Sequence, residues 1–230
     1  MAGTIFEKSS TPLTLWFHAV LFFSNAKSGI SSKQMQRELN VTYKCAYRIL
    51  KQIREALKQD NDKLSGDVEM DEGFIGGRGN GGTYNKNYSE VMKDKAKVIA
   101  AVERGGKMKA QHVPDVSSMS IWQFLEDHIA QNAHLLTDSS NRYDLAVQAH
   151  GMKRTAVNHS KKQFVKGDAH VNSVEWFWSH VKKSLKGTFK SVSKEQLQSY
   201  LDVFVWHYNN RRNDRQRFEA LLGILLPVKG

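Results

Sequence analysis

The hydrophobic rhythm of this chain changes near Gly66, and that change limits the folds open to it. Before it, apolar residues recur at helical spacing; after it, they gather in short strand-like runs. The sequence SSKQMQRELNVTYKCAYRILKQIREAL from Ser31 reads as two helices, Ser32 to Leu39 and Thr42 to Leu57. Met35 and Leu39 share one face of the first, and Ala46, Ile49, Leu50, Ile53 and Leu57 make a stripe of period 3.6 on the second. An earlier helix over Leu13 to Ser24 opens at Thr11 and Pro12, where the missing N–H of proline falls on a position that needs no donor. The polar stretch Lys58 to Gly66 reads as a linker.

From Asp67 the runs are strand-like. DVEMDEGFIG is the first, and the stretches Lys95 to Gly105 and Lys107 to Val113 read as a hairpin turning at Gly105 and Gly106. Between them, GGRGNGGTYNKN is glycine-rich and basic, the composition of a surface loop; it lacks the GxxxxGK[ST] spacing of a phosphate-binding loop. A helix from Met119 to Gln131, a strand from His134 to Thr137, a helix over Tyr143 to His150 and a strand around Thr155 to Asn158 follow. Helices over Val174 to Leu185 and Lys194 to Tyr208 precede a basic turn, NNRRNDR. Consecutive strands followed by alternating helices and strands predict an α/β fold, a mixed sheet flanked by helices. The expected division is a helical region over 1–62, a catalytic domain over 63–215 and a tail over 216–230.

Charge points to the partner. Lys and Arg number 34 against 23 Asp and Glu, a formal charge of +11, which attracts phosphate backbones. Cys45 is the single cysteine, so the chain can form no internal disulfide and no cysteine-based zinc cluster, as expected of a cytoplasmic protein. LWFHAVLFF, Leu15 to Phe23, is far short of the roughly 20 apolar residues that span a bilayer, and no membrane partner is expected.

Three carboxylates suit metal chemistry on nucleic acid. Asp71 follows Val68 and Met70 in the first strand, Asp138 follows Leu135 and Leu136 in another, and Glu175 lies near the start of a helix. Cleaving a phosphodiester places negative charge on both the attacking and the leaving oxygen, and two divalent ions about 3.5 to 4 Å apart stabilise both. Carboxylates are the hard ligands that Mg2+ or Mn2+ prefers. The expectation is two such ions, with Asp71 bridging them, Asp138 holding one and Glu175 completing the other.

Several neighbours of Glu175 are candidates to assist. Asn172 lies three positions before it and Lys182 and Lys183 seven and eight after it, on or near one side of the helix; Asn172 would cap the helix or hold a bound water, and Lys182 would meet a phosphate. His170 would touch substrate. Trp176, Phe177 and Trp178 read mainly as packing residues. The other histidines show no HExxH or similar ligand spacing. The helix pair Ser32 to Leu39 and Thr42 to Leu57, with a tight Asn40-Val41 turn, fits a helix-turn-helix that would present Lys44, Arg48 and Lys51 to double-stranded DNA. A dimerisation or scaffold bundle is the other reading of the same helices. Arg78 in the glycine-rich loop, Lys183, and Arg211 and Arg212 in the basic turn are further candidates for DNA contact.

Through these residues the chain resembles bacterial insertion-sequence transposases of the DDE type, in particular the group whose proteins usually begin with a zinc ribbon. VEMDEGFIGG with Asp71 is similar to the motif of the first aspartate, Leu136-Thr137-Asp138 to the strand ending of the second, and His170, Asn172, Glu175, Phe177 and Lys182 to the pattern HxNxxExFxxxxK of the third. The intervals, 138 − 71 = 67 and 175 − 138 = 37 positions, are compatible with such domains, and FVWHYNNRR resembles the group's closing helix. The resemblance implies an RNase H-like catalytic domain that binds the inverted repeats of a transposon, hydrolyses the DNA to expose 3′-hydroxyls and directs them at target DNA. A homodimer or larger oligomer is implied, since two element ends must meet.

Departures from the group's pattern are equally specific. The zinc ribbon is missing, and MAGTIFEKSS resembles the segment that normally follows its last cysteine pair, as expected of a truncated copy or a genuine short form. Gly73 stands where the group has an aromatic or polar residue, and Trp176 where it has a small one. Two other readings follow, a transposase-derived protein that binds DNA without moving it, and a different RNase H-like nuclease directed by DNA structure.

Overall fold

The computed structural model describes residues 3–76, 95–157, 172–212 and 214–226. The glycine-rich segment expected as a surface loop, with Arg78, and His170 lie outside the described residues. The chain divides into two compact units. One comprises the described residues of Met1–Gln59, Gly187–Lys190 and Ser199–Gly230, the other Asp60–Lys186 and Ser191–Gln198.

Local signals define the helices of the first unit: α1 (Leu13–Asn25), α2 (Ser32–Leu39) and α3 (Tyr43–Ala56). The Ser31 side chain accepts from the Gln34 N–H and that of Thr42 from the Cys45 N–H, so each helix of the pair has its own cap. Between them Asn40 takes the left-handed conformation, φ 50° and ψ 46°, which ends α2 and allows the sharp turn. Met35, Leu39, Ala46, Ile49, Leu50, Ile53 and Leu57 are all buried and join Trp16, Val20 and Phe23 of α1 in one core.

The carboxyl end of the chain differs from expectation. Residues 216–225, read as part of a tail, belong to α8 (Asp214–Leu225). Leu221 and Leu225 are buried in the core with α1 and α3, beside Val203 and Trp206 of α7 (Lys194–Asn209). Spacing explains the burial: Phe218, Leu221, Leu222 and Leu225 lie on one side of a helix, and an apolar side of that width is stable only when covered.

The second unit is built on a five-stranded sheet of order β3-β2-β1-β4-β5. These are β1 (Asp67–Ile75), β2 (Ala96–Glu103), β3 (Met108–Val113), β4 (His134–Asp138) and β5 (Lys153–Val157). β1, β2 and β3 pair antiparallel, and β4 and β5 run parallel to β1. This is the mixed sheet expected, with helices flanking it. Val68 and Met70 face one way and pack with Ile99, Ala101 and Leu135 beneath α4 (Ser118–His128) and α5 (Arg142–His150). On the opposite face, α6 (Asn172–Ser184) lies over β1 and β2 and continues into a π-helical turn, Leu185–Phe189. No helix of the described residues is long and apolar enough to cross a membrane.

The linker expected over Lys58 to Gly66 is tied down from Asp60 onward. The Asp60 side chain and carbonyl accept from the buried Lys109 ammonium, Lys107 bridges Asp60 and Asp62 at 2.9 and 2.8 Å, and Leu64 is buried in a bridge to Ile129. Charged residues that read as a solvated spacer are thus partners for Lys109 of β3 and for Lys107 just before it.

Leu221→Ala tests the reassignment of the carboxyl end. The substitution should destabilise the first unit by about 2 to 5 kcal/mol, measured by thermal or urea unfolding, whereas a true tail position would tolerate it without change.

Candidate active site

β1 presents one side chain in two to α6, and the three nearest its middle are Glu69, Asp71 and Gly73. Glu69 is fully buried; its Oε2 accepts from the Ser173 N–H at 2.9 Å, in the first turn of α6, and its Oε1 from Arg104 Nε at 3.2 Å. A carboxylate at the start of a helix satisfies an N–H that has no partner within the helix and meets the positive end of its dipole. Asp71 Oδ2 accepts from the Trp178 indole N–H at 3.0 Å. At Gly73 a Cβ would fall 2.8 Å from three atoms of the Trp178 ring, so only glycine lets the indole lie against the strand.

Register places the second aspartate. β1 and β4 pair Asp67 with His134, Val68 with Leu135 and Glu69 with Leu136, an offset of 134 − 67 = 67 residues. The interval from Asp71 to Asp138 is also 67 residues, so the two aspartates stand level, two residues past the last paired position. Neighbouring strands are about 4.8 Å apart and level side chains point to the same face, here the face covered by α6. Asp138 Oδ1 accepts from the Ser140 N–H at 2.9 Å, and Arg154 of β5 braces this strand end by donating to the Asp138 carbonyl at 2.8 Å, the Ser140 carbonyl at 2.9 Å and Thr137 Oγ1 at 2.8 Å.

Glu175 is exposed on α6, three residues before Trp178 and so on the same side of the helix. Its charge and that of Asp138 both act on Asp71. Among the described residues, no three His, Cys, Asp or Glu side chains stand close enough together to hold an ion; the acids share one face without closing into a finished shell.

The ISXO2-like transposase domain family matches residues 63–209, more than half of the chain. The chain belongs to that family. An uncharacterized protein in the transposable element ISH50 of Halobacterium salinarum is 28% identical over 213 residues, covering 88% of this chain and 71% of that protein. Among solved structures, the Mos1 strand transfer complex has a TM-score of 0.38 at 11% identity, covering 95% of this chain and 77% of that one. The catalytic core domain of BIV integrase has a TM-score of 0.28 at 13% identity, covering 72% and 86% respectively.

Electrostatics set Asp71 of this transposase apart. Burial pushes its carboxyl up to about 6, and the negative charges of Asp138 and Glu175 add to the rise against the hydrogen bonds from the Glu72 backbone and Trp178. Glu72, on the opposite face of β1, is raised as well, first by burial. The hydroxyl of fully buried Tyr143 acts on Glu72 and is itself held well above its ordinary value, first by burial and then by the Glu72 charge.

The remaining candidates fall in different places. Lys182 and Lys183 are exposed on α6, and Asn172 opens that helix. Phe177 and Trp178 pack in the interior as read from the sequence, whereas Trp176 is 56% exposed and stacks on His180 at 5.4 Å. In the other unit Lys44 is exposed, and Lys51 is exposed with Glu55 at 3.6 Å. Arg48 is half-buried, donating to Thr11 Oγ1 at 2.6 Å beside the Trp16 ring. Arg211 donates to the Tyr208 carbonyl at 2.9 Å and lies over that residue's ring, and Arg212 is exposed. Arg48 and Arg211 therefore have structural work within their own unit.

Glu69, Trp178 with Gly73, and Arg154 were not singled out by the sequence. One signal was available: a glycine two residues after Asp71 and a tryptophan three after Glu175 are a small and a large residue that fit each other once the helix crosses the strand.

The raised Asp71 carboxyl gives a test on metal-free protein. The folded state holds this proton to about pH 6 and the unfolded chain only to about pH 3.9, so stability falls as pH rises through that window and the full penalty, up to about 3 kcal/mol, applies above it. Asp71→Asn keeps an acceptor for Trp178 and removes the charge. In EDTA at pH 7.5 it should raise the melting temperature, with the gain shrinking as pH falls through about 6 and gone near about pH 4; an unchanged or lower melting temperature at pH 7.5 would contradict the assignment.

Proposed function

We propose that this transposase cuts DNA at the inverted-repeat ends of its element and joins the resulting 3′-hydroxyls to target DNA, with Asp71, Asp138 and Glu175 as catalytic residues. The observation that carries this reading is the level placement of Asp71 and Asp138 on adjacent parallel strands, on the face over which α6 brings Glu175.

The donor set suits a divalent ion. Its ligands would be carboxylate oxygens, the hard donors of Mg2+ and Mn2+, and the charges of Asp138 and Glu175 both act on Asp71, whose carboxyl is raised first by its burial. Asp71, Asp138 and Glu175 would hold two such ions, which supply activation of the attacking oxygen and stabilisation of the leaving one. The chain's own residues orient the substrate. Lys182 and Lys183, four and five residues beyond Trp178 on the same helix, would bind phosphates, and His170 and Asn172, which precede Glu175 in the sequence, would assist at the reacting group. Assembly of the acids is completed when DNA and cation bind.

The helix pair α2 and α3 would take duplex DNA, with Lys44 and Lys51 as phosphate contacts, and two or more copies of the chain would bring both element ends together. Replacing Lys44 or Lys51 by Ala should weaken binding to any duplex and lower the salt dependence by about one phosphate contact each. An unchanged salt slope for both variants would favour the bundle reading of these helices.

The decisive reaction uses the full chain, Mg2+ or Mn2+, and duplex carrying the inverted repeats that flank its gene. Asp71→Asn, Asp138→Asn and Glu175→Gln should each lower cleavage and joining by roughly a thousand-fold or more while leaving DNA binding intact. Activity of any of the three near the wild-type level would remove that residue from the site. Footprints without joining by the wild-type chain would favour a protein that binds DNA without moving it, and cleavage set by DNA structure would favour a nuclease of another kind.

A further inference from the structure

We infer that Trp178 is a positioning residue for the catalytic centre: its indole N–H orients the Asp71 carboxylate and fixes, through α6, where Glu175 stands relative to it. The inference rests on the reading of Asp71 as a metal ligand.

Three observations combine. The indole N–H donates to Asp71 Oδ2 at 3.0 Å, a hydrogen bond to a charged acceptor, which is among the stronger kinds. The ring itself is held in place, since Trp178 is only 5% exposed and its six-membered ring lies where Gly73 leaves out a side chain. Finally, Trp178 and Glu175 are three residues apart on one helix, so whatever locates the indole also locates Glu175. A carboxylate on a strand has freedom about its terminal bond; the hydrogen bond removes that freedom and assigns Oδ2 to the indole. Burial of the indole makes the restraint effective, because water has little access to compete at the donor.

The second anchor of α6 strengthens the case that position is what is controlled. Glu69 accepts from the Ser173 N–H at the start of the helix, and Trp178 reaches Asp71 one turn beyond Glu175. The third acid is therefore bracketed by two polar contacts to the same strand, both to carboxylates and both on the same face. Packing alone would need apolar side chains at these places; β1 offers two acids and a glycine instead.

The test uses the full chain and five variants: Trp178→Phe, which keeps an aromatic ring and removes the donor; Gly73→Ala, which keeps the donor and displaces the ring; Asp71→Asn; and Asp71→Ala with and without Trp178→Phe. Binding of Mn2+ alone is measured by titration calorimetry, and melting temperatures are measured in EDTA. Trp178→Phe and Gly73→Ala should each weaken Mn2+ binding about ten-fold, the lower end of the effect of groups that orient metal ligands. In EDTA, the loss of melting temperature from Trp178→Phe should be smaller in the Asp71→Ala background than in the wild type, because the acceptor is already gone; a role in packing only would give equal losses. If Asp71→Asn abolishes Mn2+ binding while Trp178→Phe and Gly73→Ala bind as tightly as the wild type, the positioning role is overturned and the ligand role of Asp71 stands. If Asp71→Asn itself binds Mn2+ normally, the reading of the site fails first. Should Trp178→Phe not fold, Gly73→Ala carries the same comparison.

Discussion

One face of β1 docks α6, and the proposed catalytic arrangement depends on that contact. Glu69 caps the helix, Asp71 holds the Trp178 indole and Gly73 makes room for it. Every second residue of the strand has a task toward the same helix, while the intervening Val68 and Met70 enter the core on the other side. A one-residue slip in the pairing of β1 would exchange these two sets, burying carboxylates among leucines and removing the helix anchors together. Stability of the sheet and placement of the acids are thus a single constraint.

The parallel pairing of β1 with β4 adds the second acid at no extra cost in structure. An offset of 134 − 67 = 67 residues in the ladder, repeated in the spacing of Asp71 and Asp138, brings the middle of β1 level with the carboxyl end of β4. Arg154, from the neighbouring strand, holds the carbonyls that follow, so the end of β4 is braced from outside the acid cluster. Negative charge gathers in the cluster, where Asp138 and Glu175 add to the rise that burial gives the Asp71 carboxyl. In a chain whose formal charge is +11, that local reversal of sign marks the place where a cation would be welcome and the surrounding surface where phosphates would be.

Features carried by neighbours along the chain were legible in the sequence. Ser31 and Thr42 cap helices whose starts fall within a residue of expectation, Gly105 turns the hairpin with φ 71°, and the buried stripe of α3 follows its spacing. The two aspartates were legible for the same reason, each ending a short apolar run. What could not be read depends on residues meeting across space. Glu69 carries no signal of its own within its strand, and only the fold brings Arg104 and Ser173 to its carboxylate. Trp178 looked like core, and its N–H found Asp71 only because Gly73 lies beneath it. The apolar side of α8 was hidden behind a basic turn, and Asp60 and Asp62 passed for a spacer because their partners, Lys107 and Lys109, lie on a distant hairpin.

The central claim is that three acids from β1, β4 and α6 surround one divalent centre when the protein is engaged with DNA and metal. Localised chain scission reads this directly: Fe2+ is supplied in place of Mg2+ with ascorbate and peroxide, and the fragments of the DNA-bound chain are mapped by mass spectrometry. The account predicts cuts clustered near Asp71, Asp138 and Glu175, suppressed by excess Mg2+. Cuts confined to other segments, or cuts at one of the three alone, would contradict it.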